Sequence, residues 1–198
     1  MYKDFAVSPL KRNTITGGYV VSGFIISLIL TLITFVLAEI YIYMYGGELL
    51  SIKAALKVFG LILFTTAFAS IMMFYLVSWF NSVRAYSAAS TITGTLIGFL
   101  TGIYIPIGNL PKAVQTAIKL FPPSHGAVLF RKIMMEQAES IAFEGVPAQI
   151  LDNFRLEMGI AFKVGDTILS SHASFLYVLF FAVLFSLLSV LKFSKKEI

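Results

Sequence analysis

The stretch Gly94–Arg131 reads GTLIGFLTGIYIPIGNLPKAVQTAIKLFPPSHGAVLFR, and its periodicities decide the fold. It opens on the apolar end of a helix, halts at Ile105-Pro106 and restarts as a short amphipathic segment. There Leu110, Ala113, Val114, Ala117, Ile118 and Phe121 fall on one side, with Lys112, Gln115, Thr116 and Lys119 on the other. That is the stripe of a helix with one apolar face. Asn109 is read as its N-cap and Pro111 as a first-turn residue, where no intrahelical donor is needed. The segment is too short and too charged to span a bilayer, so it is expected to lie in the interface or dip in and return. Pro122-Pro123 ends it, because proline removes a donor and constrains the residue before it. Ser124 is then expected to cap a second helix with Ala127, Val128, Phe130, Ile133, Met134 and Ala138 on its inner side. His125 stands at the break. A hydrogen-bonded structural role is favoured there, since no serine, acid or second histidine stands at a triad-like spacing.

Upstream, Ala85 to Ile105 is expected to be a span. Its Ser90, Gly94, Gly98 and Gly102 repeat every four residues and so share one side. Small residues at that spacing let a second backbone approach closely in lipid. Packing within the chain's own bundle is favoured over a contact between protomers or beside a substrate path.

The rest of the chain is that of an integral membrane protein. Of its 198 residues 58% are hydrophobic and 13% charged, against about 25% charged in soluble domains, and mean hydropathy is +0.88. Absence of cysteine excludes disulfides, thiolate metal sites and cysteine nucleophiles. The two histidines form no HExxH pattern, so no zinc site is expected. The net charge of +5 sits at membrane flanks without a basic, aromatic-interleaved stripe, which argues against nucleic acid. The first apolar run is too long for a cleavable signal peptide.

Four spans are expected: Tyr19 to Tyr45, Val58 to Phe80, Ala85 to Ile105 and Ala173 to Leu191. Residues 1–18 form a basic flank in which Asp4 to Val7 makes one helical turn and Ser8-Pro9 starts another, serine as N-cap and proline at the first position. Glu39 lies about 30 Å along the first span, beside Tyr41, Tyr43 and Tyr45. An interfacial, solvated carboxylate is favoured over a buried proton or ion site. Leu49 to Leu56 is read as a small interfacial helix. Residues 106–172 form an external re-entrant hairpin and a small soluble-looking region, with a weakly amphipathic helix over Ala148 to Met158 and Gly159 as its C-cap. Residues 192–198 are a lysine-rich tail.

Four spans put both termini on one side. Lys3, Lys11, Arg12, Arg84, Lys192, Lys195 and Lys196 crowd three short flanks there, whereas most other basic residues lie in the long 106–172 loop, where the positive-inside rule weakens. Both termini are therefore expected inside the cell. Within the loop six basic residues balance six acids, so it steers no charged ligand.

KDFAVSPLKR near the start and IPIGNLPKAVQTAIKLFPPSHGAVLFRKIM after the third span, with the span pattern, resemble the permeases of type-2 ATP-binding-cassette (ABC) exporters. The resemblance covers about Lys3 to Gln137; the last sixty residues match only in layout. It implies a coupling helix that docks into the ATP-hydrolysing subunit, here Lys3, Asp4, Phe5, Ser8, Pro9, Leu10, Lys11 and Arg12. It also implies re-entrant helices capping the exit of the transport path, marked by Pro106, Pro111, Phe121, Pro122, Pro123 and His125. Members have about six spans, so this chain is expected to lack the first two, as a fragment or with the remainder on another chain.

The expected function is a membrane permease component that moves a drug, lipid, peptide or similar hydrophobic substrate outward across a bacterial cell membrane. No GxxxxGK[ST] phosphate loop is present. ATP and magnesium are therefore expected in a cytosolic partner subunit, with a second permease copy completing a homo- or heterodimer. The alternative is an accessory or immunity-type membrane protein that binds partners without transporting.

Overall fold

The computed structural model describes residues 12–80 and 82–194. The expected coupling segment from Lys3 to Lys11 lies outside them, and Arg12 enters only as the first residue of a helix. That helix, α1 (Arg12–Met44), contains no proline and is mostly apolar beyond Gly17-Gly18. It stops at Gly46-Gly47, where the Gly47 N–H donates to the Ile42 carbonyl at 2.9 Å and the Gly46 N–H to Tyr43 at 3.1 Å, satisfying carbonyls that a helix end leaves free. Half-buried Glu39 faces back across this turn, and its Oε2 accepts the Leu50 N–H at 3.0 Å.

Helix α2 (Ile52–Val77) starts where the Ser51 hydroxyl accepts the Ala54 N–H at 3.3 Å. The separate interfacial helix expected over Leu49 to Leu56 is absent, because no glycine or proline interrupts the residues that run into Val58; one helix absorbs both. Helix α3 (Val83–Leu100) begins at an equivalent cap, Ser82 to Ala85 N–H at 3.2 Å. It ends five residues before the expected Ile105. A 3₁₀ turn (Ile107–Asn109), α4 (Lys112–Leu120), α5 (Pro122–Ala142) and α6 (Ala148–Glu157) follow. A two-residue hairpin, β1 (Lys163–Val164) and β2 (Thr167–Ile168), pairs Lys163 with Ile168 and turns at Gly165-Asp166. The final helix is α7 (Ser171–Ser194).

The architecture is an all-α membrane protein. Three of the described helices are long and apolar enough to cross a bilayer: α1 over Gly17–Met44, α2 over Ile52–Val77 and α7 over Ser171–Lys192. Four were expected. The exception is α3, whose 18 residues include Arg84, Ser87, Ser90, Thr91 and Thr93 in its first two-thirds, which dilute its apolar run.

Helix α2 is central, packing on α1, α5 and α7. Its seam with α7 runs in parallel: Phe64 stacks on Phe175 with ring centroids 4.4 Å apart, and further down Tyr75 meets Phe185 at 5.5 Å. Phe68, Met72 and Val178 are the buried centre of that seam, with Ile97 of α3 against it. Several hydroxyls within the helices bond their own backbone, as Thr31 to Ser27 and Thr34 to Leu30, both at 2.8 Å, which satisfies those donors inside the helix. A second core, Ile107, Ile118, Val128 and Phe162, holds residues 107–169 together as a cap over one end of the bundle.

Candidate functional site

The cap and the spans meet at the start of α5. Pro122 and Pro123 occupy its first positions, where a missing N–H costs nothing. The expected cap at Ser124 is thus corrected to Phe121, three residues earlier, since the prolines begin this helix as well as ending the previous one. Freed from capping, buried Ser124 donates its hydroxyl to the Leu100 carbonyl at 2.7 Å, closing the end of α3. Gly126 packs on Thr65 of α2, 13 residues past the start of that helix, about 20 Å along its axis. At its other end α5 reaches the α1–α2 loop through Gln137, which donates to the Glu48 carboxylate. Helix α5 therefore stands upright along the upper half of α2, its proline end deepest in the bundle.

His125 is 3% exposed. Its Nε2–H donates to the Lys119 carbonyl at 2.8 Å, which leaves Nδ1 to accept the Ser174 hydroxyl at 3.3 Å. One imidazole thus ties the last turn of α4 to the first turn of α7. The rings of Tyr177 and Phe162 enclose it at 4.2 and 5.1 Å, and this burial lowers its pKa below the ordinary 6.5, only partly offset by the Lys119 carbonyl. Tyr177 adds a parallel tie, its hydroxyl donating to Leu120 at 2.9 Å.

Arg131, two turns further along α5, holds the other side of the junction. Its Nη2 donates to Thr101 at 2.7 Å and Gly102 at 2.9 Å, and its Nη1 to Gly159 at 3.3 Å. These carbonyls lie at the C-terminal ends of α3 and α6, whose partial negative charge and unpaired acceptors suit a cation. Both helices leave through a left-handed glycine, Gly102 at φ 70° and Gly159 at φ 67°, a conformation that only glycine adopts at little cost. Burial lowers the Arg131 pKa from its ordinary value, yet guanidinium remains charged at any physiological pH. Within the cap, Arg155 of α6 grips buried Glu139 of α5 through Nε at 2.8 Å and Nη2 at 2.7 Å.

The small-residue series is split by the end of α3. Ser90 is half-buried, and its hydroxyl has no hydrogen-bond partner. Gly94 faces open space, with nothing within 4 Å of where a Cβ would stand. Gly98 lies under the Tyr104 ring, and Gly102 is past the helix, against Ile107. The expected continuous face on one helix, packed within the bundle, is thus corrected: Gly102 leaves the helical register because its left-handed turn terminates α3. Pro106 precedes the 3₁₀ turn and accepts the Asn109 N–H at 3.1 Å. That turn consumes Asn109, so Pro111 rather than Asn109 occupies the N-cap of α4. Phe121 is the joint between α4 and α5.

Sequence reading singled out His125 but missed Arg131, Ser174 and Tyr177. A signal for Arg131 was present: a cation among the apolar residues of α5, with two helix-ending glycines elsewhere whose carbonyls needed donors. Among the described residues no cluster of three or more metal-ligating side chains occurs.

A family model described as ABC-2 family transporter protein matches residues 2–191, and the chain belongs to that family. It is a membrane permease component of an ABC transporter, and membership implies an ATP-binding partner subunit. No curated protein and no solved structure matches the chain.

Proposed function

We propose that this chain is an exporter subunit that moves a hydrophobic or amphiphilic substrate outward, driven by ATP hydrolysis in a separate cytosolic subunit that holds ATP and magnesium. In this reading both termini are cytoplasmic, the cap lies on the outer face of a bacterial cell membrane, and a second permease copy completes the path. Residues Lys3 to Arg12 dock on the ATPase. The observation that carries the reading is the tie between cap and spans. Through His125, Ser124 and Arg131, α5 bonds to α7 and α3 at once, so a tilt of the spans moves the cap with them. ATP-driven switching between inward-open and outward-open states then becomes a difference in how these bonds are satisfied.

The test is reconstitution with the partner ATPase in liposomes. Substrate-stimulated hydrolysis is expected, and a linker of glycine and serine replacing Asp4 to Pro9 should abolish both co-purification and stimulation. Undiminished partner binding by the linker variant would remove the docking assignment. Partner binding without any substrate-stimulated hydrolysis would favour an accessory or immunity-type protein.

A further inference from the structure

The cap contains a cleft of about 210 Å³ between α4, the end of α6 and the hairpin. Its floor is apolar, from Ile107, Leu156 and Phe162, and its rim carries Gln115, Lys119 and Lys163. Gln115 is committed to the chain, its amide donating to Leu110 at 2.9 Å and Gly108 at 3.3 Å. Lys119 is not. One of its donors meets the Lys163 carbonyl at 2.8 Å, an ammonium has three, and none of the ion pairs among the described residues includes it. Lys163 also lines the cleft, and its ammonium lies 3.8 Å from exposed Asp166. A half-buried cation without a carboxylate over an apolar floor is costly unless an anion arrives.

The position of the cleft says what kind of anion. Leu120, the neighbour of Lys119, accepts the Tyr177 hydroxyl, and Tyr177 lies only six residues, about 9 Å, into the apolar run that starts at Ser171. Measured along α7, Lys119 therefore stands near the start of that helix's apolar run. Helix α4 has the matching surface, since Ala113, Val114, Ala117 and Leu120 of its apolar face stay exposed, Leu120 by 66%. A helix with lysines on one side and uncovered apolar residues on the other lies in a bilayer interface.

We infer that the cleft seats the phosphate of an anionic phospholipid from the cap-side leaflet, with Lys119 and Lys163 as its donors. The lipid then fastens α4, and through His125 the rest of the junction, to the membrane surface. The inference needs the cap at an interface and is independent of the direction of transport, so its failure and the failure of the export reading are separate results.

The experiment is native mass spectrometry of the delipidated protein titrated with phosphatidylglycerol or phosphatidylcholine. Preferential retention of phosphatidylglycerol is expected. Lys119→Met and Lys163→Met should each weaken it about tenfold, the scale of a lost charge-assisted hydrogen bond. Lys119→Arg should keep it, and Lys112→Met, a lysine outside the cleft, should leave it unchanged. Equal loss in Lys112→Met would mean diffuse attraction and overturn the site, as would full retention by both methionine variants. Displacement by inorganic phosphate as efficient as by soluble phosphatidylglycerol would overturn the lipid assignment in favour of a free anion. If Lys119→Met fails to fold, Lys163→Met decides alone.

Discussion

The α2–α7 seam and the junction between cap and spans bury comparable side chains by opposite means. In the seam Phe64, Phe68, Met72, Val178 and Phe185 meet through rings and aliphatic side chains. At the junction Ser124, His125, Arg131 and Tyr177 all act through directed bonds to backbone carbonyls or a hydroxyl. In lipid, dispersion and fit hold a seam, and such contacts vary gradually as helices slide. Carbonyl-directed bonds either form or break. The seam therefore suits a surface that carries motion, and the junction one that fixes discrete states.

The sharpest way to break this contrast is to cut a hole in the seam. Phe68 is 3% exposed, and Phe68→Ala should cost about 3–5 kcal/mol. Thermal unfolding in lipid nanodiscs should show a large global loss, with hydrogen exchange in residues 101–110 rising only in step with it. Selective opening of the cap in this variant would show that the two regions are one cooperative unit.

Arg131→Met tests the other side. It keeps the aliphatic stem but strands the carbonyls of Thr101, Gly102 and Gly159, for which about 2–4 kcal/mol is expected from unpaired acceptors after partial rehydration. The loss should be local, with fast exchange at 101–110 and 159–162 and a preserved seam. Arg131→Lys should restore only part of it, because a single ammonium lacks the fork that reaches two helix ends.

These two regions also differ in how far they could be read in advance. The apolar runs of α1, α2 and α7 and the joint at Pro122-Pro123 are local properties that periodicity and proline chemistry reveal. Even so, α3 ends at Leu100 rather than Ile105, α2 starts at Ile52 rather than Val58 and α5 begins at Pro122 rather than Ser124. Helix α6 and the turn at Gly159 were legible for the same reason. The junction was not. Its acceptors are main-chain carbonyls of Leu100, Thr101, Lys119 and Gly159, and a carbonyl has no residue signature. Nor does local pattern reveal that α7 returns parallel to α2 and sets Ser174 beside His125. The short hairpin at Gly165-Asp166 was missed because two-residue strands carry too little alternation to register.

A smaller effect comes from pH. The lowered pKa of His125 means that the folded state binds its proton less readily than the unfolded chain. Its contribution is present in full above the unfolded value of about 6.5 and is lost as pH falls through the folded value, by at most about 1.4 kcal/mol per pH unit. Unfolding midpoints should therefore drop on acidification below 6.5, and His125→Gln should flatten that slope while lowering stability at neutral pH. An unchanged slope in the variant would assign the acid sensitivity to other groups.

The smallest effect on the isolated chain is expected at Gly94, and that makes it informative. Nothing lies within 4 Å of a Cβ built there, so Gly94→Ala relieves helix flexibility without a clash and should stabilise the monomer by about 0.5–1 kcal/mol. Gly94→Leu should likewise leave the unfolding midpoint of the monomer near the parent value. A Cβ at Gly94 touches neither seam nor junction, so neither should register the alanine change. If a second permease copy seats its backbone on α3, however, the leucine blocks the close approach that glycine permits. Dimer fraction, measured by single-molecule photobleaching in liposomes, should then fall while monomer stability holds. An unchanged dimer fraction would move the protomer contact elsewhere, toward the exposed faces of α1.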